Sequence, residues 1–341
     1  MAPILILDGG LGTSLEQKYK LKFTHSTPLW SSDLLVSDRA TLQKCQSDFG
    51  DVPVDILLTA TYQVSIKGFA ATKSAAFPEG VPTSEIPRFL DTAVQTAESS
   101  IQTGAQVALS VGPYGACMIP SQEYSGKYDP EHDDAEALFQ WHSERMALFA
   151  QVPEVDKRLG FVSLETVPRP DEIVAMRRAL AKEADLAGLP FWISCLFPGD
   201  NGHLPDGTPA AEAVTAMLDP SLSTAVPWGI GINCTKVAKL DSILQQYEVA
   251  VAQLVDKGVI SEWPALVLYP DGTNGEVYNT TTQQWEMQET KSDAPRVSWE
   301  QQLKEVVKAT EERGKWKQIV VGGCCMARSE DIARLRAVLT G

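Results

Sequence analysis

Residues 318–325 read QIVVGGCC, and this stretch decides the fold. The apolar run Ile319-Val320-Val321 has the composition of a strand covered on both faces, as strands of a parallel sheet are. Two glycines follow, then two adjacent cysteines. Neighbouring side chains on a regular strand point to opposite faces. Both sulfurs can therefore serve one ion only at a strand end, where Gly322 and Gly323 relax the backbone. Residues 228–234, WGIGINC, repeat the design: a glycine-punctuated apolar strand that ends in Cys234. Three thiolates from two strand ends make a three-ligand zinc site with its fourth position open, an arrangement zinc uses for catalysis rather than for structure. Our hypothesis is that a substrate thiol fills that position.

Outward from these two strands the chain alternates. Strand patterns fall at residues 4–8, 55–62, 106–112, 160–166, 191–197, 230–234, 265–269 and 319–321. Helical patterns fall at 40–49, 86–104, 134–150, 170–188, 210–218, 237–257, 298–313 and 329–339. Residues 11–35 read as irregular, 114–133 as a polar loop and 272–296 as a long polar excursion. Eight strand–helix units in 341 residues predict the α/β class and one (β/α)8 TIM-type barrel, a single domain over 1–341. The structural alternative is a doubly wound open sheet.

Composition narrows the function. A net charge of −15 argues against nucleic acid and anionic membrane surfaces, and suits a cationic small-molecule substrate. A hydrophobic content of 44% builds a substantial core, so a metal is not needed merely to hold the fold. No apolar run is long enough to span a membrane, and the start, MAPILILDGG, lacks the basic region of a signal peptide. Six cysteines in such a chain are no disulfide framework; free thiols point to a reducing, cytoplasmic setting.

A barrel builds its site at the carboxyl ends of its strands. Those ends read Asp8, Tyr62, Gly112, Glu165, Phe197, Cys234, Tyr269 and Cys324-Cys325. Two carboxylates and three thiols would share one mouth. The plainer readings are an Asp8 that fixes the Gly9-Gly10 turn through amides, a Glu165 paired with Arg169, and a Tyr62 that packs the barrel. Cys45, Cys117 and Cys195 read as small buried hydrophobes, with Cys117 nearest the mouth. His25, His132, His142 and His203 show no ligand spacing and read as solvated. The acidic run at 131–136 reads as a loop and a helix start.

At this point a resemblance enters. LDGGLGTSLE (7–16), PLWSSDLL (28–35), TATYQVSIKGF (59–69), SVGPYGA (110–116), EYSGKY (123–128), ETVPRPDEI (165–173), GINC (231–234) and GGCC (322–325) run through almost the whole chain. Together they resemble the homocysteine S-methyltransferase family. The resemblance implies a single barrel with one Zn2+ on Cys234, Cys324 and Cys325. It also implies the homocysteine ammonium near Asp8 and Glu165, and its carboxylate near the backbone of Gly9 and Gly10. Two departures stand out: Ala60 replaces the Asn of some members, and the YPDGTNGEVY tract (269–278) is longer than usual.

The chemistry is consistent with these residues. A thiol of pKa ~8.5 is mostly protonated at neutral pH, and coordination to zinc deprotonates it. The resemblance implies a sulfonium methyl donor, S-methylmethionine or S-adenosylmethionine, whose leaving group departs neutral without a further cofactor. Trp30, Tyr62 and Tyr114 are placed to offer aromatic faces to that cation. Two other classes compete. One is a barrel hydrolase with Asp8 and Glu165 as an acid/base pair. The other is a non-catalytic zinc or redox sensor working through Cys324-Cys325.

Overall fold

The computed structural model describes residues 2–273, 276–279, 284–287 and 297–341. Its strands are β1 (Ile4–Ile6), β2 (Ile56–Leu58), β3 (Gln106–Val111), β4 (Phe161–Val167), β5 (Phe191–Cys195), β6 (Gly229–Lys236), β7 (Ala265–Asp271), β8 (Glu276–Asn279), β9 (Gln284–Met287) and β10 (Ile319–Val321). β8 and β9 form a separate antiparallel pair. The other eight are parallel, in the order β1-β10-β7-β6-β5-β4-β3-β2. A parallel bridge between Leu7 and Ile56 links β1 to β2, so the sheet is nearly closed on itself. A doubly wound sheet reverses its strand order at a switch point; this order never reverses, and the architecture is a (β/α)8 barrel.

The crossovers carry the helices Arg39–Gly50, Ile86–Glu98, Ala135–Phe149, Pro170–Lys182, Ala210–Leu218, Val237–Asp256 and Trp299–Arg313, and Ser329–Thr340 follows the last strand. Local chemistry starts several of them. Asp38 accepts from the Thr41 amide at 3.1 Å, Asp134 accepts from the amides of Glu136 and Ala137, and Pro170 occupies a first-turn position.

Alternation along the strands divides two apolar layers. Ile6, Leu266, Leu268, Ile319 and Val321 face the helices. Leu7, Ile56, Ala108, Phe161, Trp192, Val267 and Val320 fill the barrel interior. Each large side chain buried this way contributes about 1.5–3 kcal/mol. Toward the carboxyl ends the inward positions turn polar: Ser110, Ser163, Glu165, Ser194, Tyr269 and Asp271, all buried. The Trp192 Nε1–H donates to the Tyr269 hydroxyl at 3.3 Å, tying the apolar layer to the polar one.

Three expectations change. Residues 11–35 are not wholly irregular: they hold the helix Leu11–Gln17, a 3-10 turn at Trp30–Asp33 and a short helix at Leu34–Ser37. Gly12 is a packing requirement, since a Cβ there would stand 2.5 Å from the Trp30 ring. β2 ends at Leu58, because the Thr61 amide turns back to the Thr59 carbonyl at 2.9 Å. The short helix Ile66–Ala71, capped by the Ser65 hydroxyl, follows. The helix expected over 170–188 breaks at Glu183. Of the excursion at 272–296, the structure describes Gly272, Thr273 and the β8–β9 pair; the remainder lies outside the described residues. Among those residues, no helix is long and apolar enough to cross a membrane.

Candidate active site

The turn after β10 is pinned from both sides. The Gly323 amide donates to the Asp8 carbonyl at 2.9 Å and the Cys324 amide to the Pro270 carbonyl at 2.8 Å. The Gly272 amide donates to the Cys325 carbonyl at 2.7 Å. Room, rather than backbone freedom, demands the two glycines. A Cβ on Gly322 would stand 2.6 Å from the Asp8 carbonyl oxygen, and one on Gly323 would stand 2.2 Å from the Ala327 Cβ.

This turn meets Cys234 from β6. Ligand atoms of Cys234, Asp271, Cys324 and Cys325 all lie within 4.8 Å of one another. The sulfurs of Cys234 and Cys324 are in contact, with Cα atoms 5.5 Å apart. Cys325 is a free, half-buried thiol, raised well above its ordinary pKa by burial and then by the charges of Asp271, Glu123 and Glu16. Three thiolates and one carboxylate oxygen make a four-donor set that can hold a metal. A sulfur-rich set of this kind suits zinc.

Asp271 is a donor that the strand-end reading missed, because that reading ended β7 at Tyr269. Counting two residues on would have found it, since inward positions recur with period two. Its carboxyl is buried, pushed up to about 7 by desolvation, and its Oδ1 has no hydrogen-bond partner.

Two strained residues sit beside the cluster. Cys234 has φ +44° and Thr166 has φ +60°, in the left-handed region that a β-branched residue seldom enters. Both lie where their strands slip register, β4 against β5 and β6 against β7. Asn233 braces them. Its Oδ1 accepts from the Thr166 amide at 2.9 Å, and its Nδ2 donates to the Thr166 hydroxyl at 2.7 Å and to the Cys234 sulfur at 3.5 Å. The slips turn the Cys234 sulfur into the mouth, which a regular strand would not do.

Asp8 and Glu165 share a cavity of about 250 Å3 with Cys234, Cys324 and Cys325. The Asp8 Oδ2 accepts from the Leu58 amide at 2.9 Å, while its Oδ1 is buried without a partner. Burial, and secondarily the Glu165 charge, hold the Asp8 carboxyl well above its ordinary pKa. Glu165 accepts from the Ser110 hydroxyl and is pushed up to about 7 by burial, against the pull of Ser110 and Tyr269. Neither plainer reading holds: Asp8 bonds to β2 rather than to its own turn, and Arg169 pairs with Asp133 and Asp171, not with Glu165. The Gly10 amide donates to the Ala327 carbonyl at 2.8 Å, so it is engaged within the fold.

Trp30 and Tyr62 line the same cavity; Tyr114 does not. The Tyr114 hydroxyl donates to Asp129, and its ring stacks on His132 with centroids 4.3 Å apart. Met118, Glu123 and Tyr124, from the loop after β3, take that wall instead. His142 departs from the solvated reading: it is fully buried, and its Nε2 lies 2.9 Å from Glu172. Cys45 and Cys195 are buried; Cys117 is half-buried, 3.4 Å from the Gln63 carbonyl.

Comparison with known proteins follows this geometry. The family model described as homocysteine S-methyltransferase matches residues 5–339. The homocysteine S-methyltransferase YbgG of Bacillus subtilis is 25% identical over 98% of this chain and 94% of its own. The Escherichia coli homocysteine S-methyltransferase is 27% identical over 98% and 94%. The crystal structure of the homocysteine methyltransferase MmuM from Escherichia coli in its oxidized form has a TM-score of 0.70 at 25% identity, covering 98% of this chain and 96% of that one. The metallated form of that protein shares the fold with the same TM-score at 24% identity, over the same 98% and 96%.

Proposed function

The chain belongs to the homocysteine S-methyltransferase family, and from that premise we propose that it transfers a methyl group from a sulfonium donor to the thiolate of homocysteine, giving methionine. S-methylmethionine and S-adenosylmethionine are the donors this chemistry suits. The observation that carries the reading is the convergence of Cys234, Cys324 and Cys325 with Asp271 inside 4.8 Å, the three cysteines lining the cavity that Asp8 and Glu165 also line. Cys234, Cys324 and Cys325 would hold zinc, with Asp271 beside them. Zinc so held supplies a site at which an incoming thiol is deprotonated at neutral pH.

The remaining work falls to the chain's own residues. Asp8 and Glu165 bind the homocysteine ammonium. The orphaned Oδ1 of Asp8 gains a charge-assisted partner, and the ammonium offsets the repulsion between the two carboxyls. Asn233 fixes the Cys234 sulfur, so the acceptor is held rather than sampled. Trp30 and Tyr62 face the donor cation. In-line approach of the methyl carbon to within about 3–3.5 Å supplies much of the acceleration. A carboxylate-pair hydrolase would leave the sulfur cluster with no role.

The test uses reduced protein reloaded with zinc. We expect near one zinc per chain and methionine formed from homocysteine with S-methylmethionine or S-adenosylmethionine. Retention of zinc in Cys234→Ser, or no methyl transfer from either donor by the zinc-loaded protein, would overturn the reading.

A further inference from the structure

The cavity holds one more buried carboxylate than homocysteine needs. Glu123, on the loop after β3, is 8% exposed and lines the cavity, and its Oε2 has no hydrogen-bond partner. Among the described residues, no lysine or arginine lines that cavity, and the Ser121 hydroxyl donates to the group without neutralising it. A buried carboxylate with an unmatched oxygen is costly, and Glu123 carries that cost in a wall built with Met118, Tyr124 and the ring of Tyr62.

Glu123 is also a separate station from Asp8 and Glu165. The repulsion that lifts the Asp8 carboxyl comes from Glu165. The Glu123 charge acts on Tyr62 ahead of that of Glu165, and on Tyr124 and Cys325. Asp8 and Glu165 stand at the ends of β1 and β4, whereas Glu123 belongs to the loop after β3, which also brings Met118 and Tyr124 to the cavity.

We infer that Glu123 binds the α-ammonium of the methyl donor, so that the site is built for a sulfonium that is itself an amino acid. This rests on the sulfonium reading above and narrows it. One acidic station serves the acceptor and a second serves the donor, each pairing with an ammonium that desolvation makes expensive to leave unmatched. Sulfonium compounds without an amino group lose the second contact. Glu123 is a binding residue in this scheme: it gives and takes no proton.

Calorimetry on reduced, zinc-loaded protein tests this without homocysteine. The probes are S-methylmethionine and 4-(dimethylsulfonio)butanoate, the same donor with hydrogen in place of the amino group. The wild type should bind S-methylmethionine at least tenfold more tightly. Glu123→Gln, nearly isosteric, should abolish that preference while leaving homocysteine affinity within about twofold. Equal wild-type affinity for the two probes overturns the inference, and that arm needs no variant to fold. Overturning it equally are a preference that survives Glu123→Gln, and no binding of S-methylmethionine. Tight, Glu123-dependent binding with no methyl transfer would instead sink the proposed reaction and leave the ammonium site standing.

Discussion

Glu172 on one side and Asp8, Glu123 and Asp271 on the other are all buried, yet they are treated in opposite ways. Glu172 is saturated. Its Oε1 accepts from the Tyr114 amide at 2.6 Å and faces the His142 Nε2 at 2.9 Å, and its Oε2 accepts from the Tyr128 hydroxyl. Close by, Arg145 donates to the carbonyls of Gly112, Thr61 and Tyr62, which fixes the loop ends after β2 and β3. Asp8, Glu123 and Asp271 each keep one buried oxygen with no partner. A fold that satisfies one carboxylate with three donors has the means to satisfy the others. In the proposed reading the partner missing from these three is a cation from outside the chain, while Glu172 holds the loops.

The largest effect expected is at the sulfur cluster. Cys325→Ser should lower kcat/KM for homocysteine by at least about a thousandfold, which is about 4 kcal/mol of barrier, with zinc lost by elemental analysis. Circular dichroism should stay native, because the apolar layers and not the metal hold the barrel. Cooperative unfolding on chelation would instead make the cluster structural and erase the distinction between the two regions.

Next comes the saturated carboxylate. Glu172→Ala strands the His142 and Tyr128 donors in a fully buried place and should cost about 3–5 kcal/mol in denaturant unfolding. The KM values of whatever remains folded should be unchanged. A change in KM without a loss of stability would show that Glu172 belongs with the cavity group.

How these regions read from sequence alone follows from what each depends on. The barrel was legible because its signal is local: eight apolar runs, each followed by a helical stretch, and a closing strand in QIVVGGCC. The sulfur cluster was legible because glycine and cysteine at strand ends are rare enough to be read together. Asp271 was lost to a strand boundary drawn two residues short. Glu123 falls within EYSGKY (123–128), but an oxygen left bare by a folded loop is something no spacing reveals. His142 sits on a helix whose buried face was not worked out, so it read as solvated. Tyr114 looked like a cavity aromatic because it follows β3, yet the 3-10 turn Tyr114–Cys117 carries it toward Asp129 and Trp141.

A smaller effect separates the two acidic stations. Glu165→Gln removes the charge but keeps an acceptor for Ser110. It should raise the KM for homocysteine about ten- to a hundredfold, with zinc content intact and the affinity for S-methylmethionine unchanged. Loss of zinc in this variant would place Glu165 with the metal donors rather than with the substrate ammonium.

The smallest effect is a pH dependence, and its sign follows from burial. Desolvation pushes the Glu165 carboxyl up to about 7, so in the free enzyme it is neutral below that pH and ionised above it. Only the ionised form pairs with an ammonium. The kcat/KM for homocysteine should therefore fall as pH drops below about 7, approaching tenfold per unit, and level off above it. The same measurement with 4-mercaptobutyrate, which is homocysteine without its amino group, removes the partner and should flatten this limb. Glu165→Gln should flatten it for homocysteine as well. A limb that persists unchanged with 4-mercaptobutyrate would mean that the titrating group acts on the sulfur rather than on the ammonium. Glu165 would then serve the chemistry of the cluster, and the line drawn between cavity carboxylates that bind cations and donors that hold sulfur would have to move.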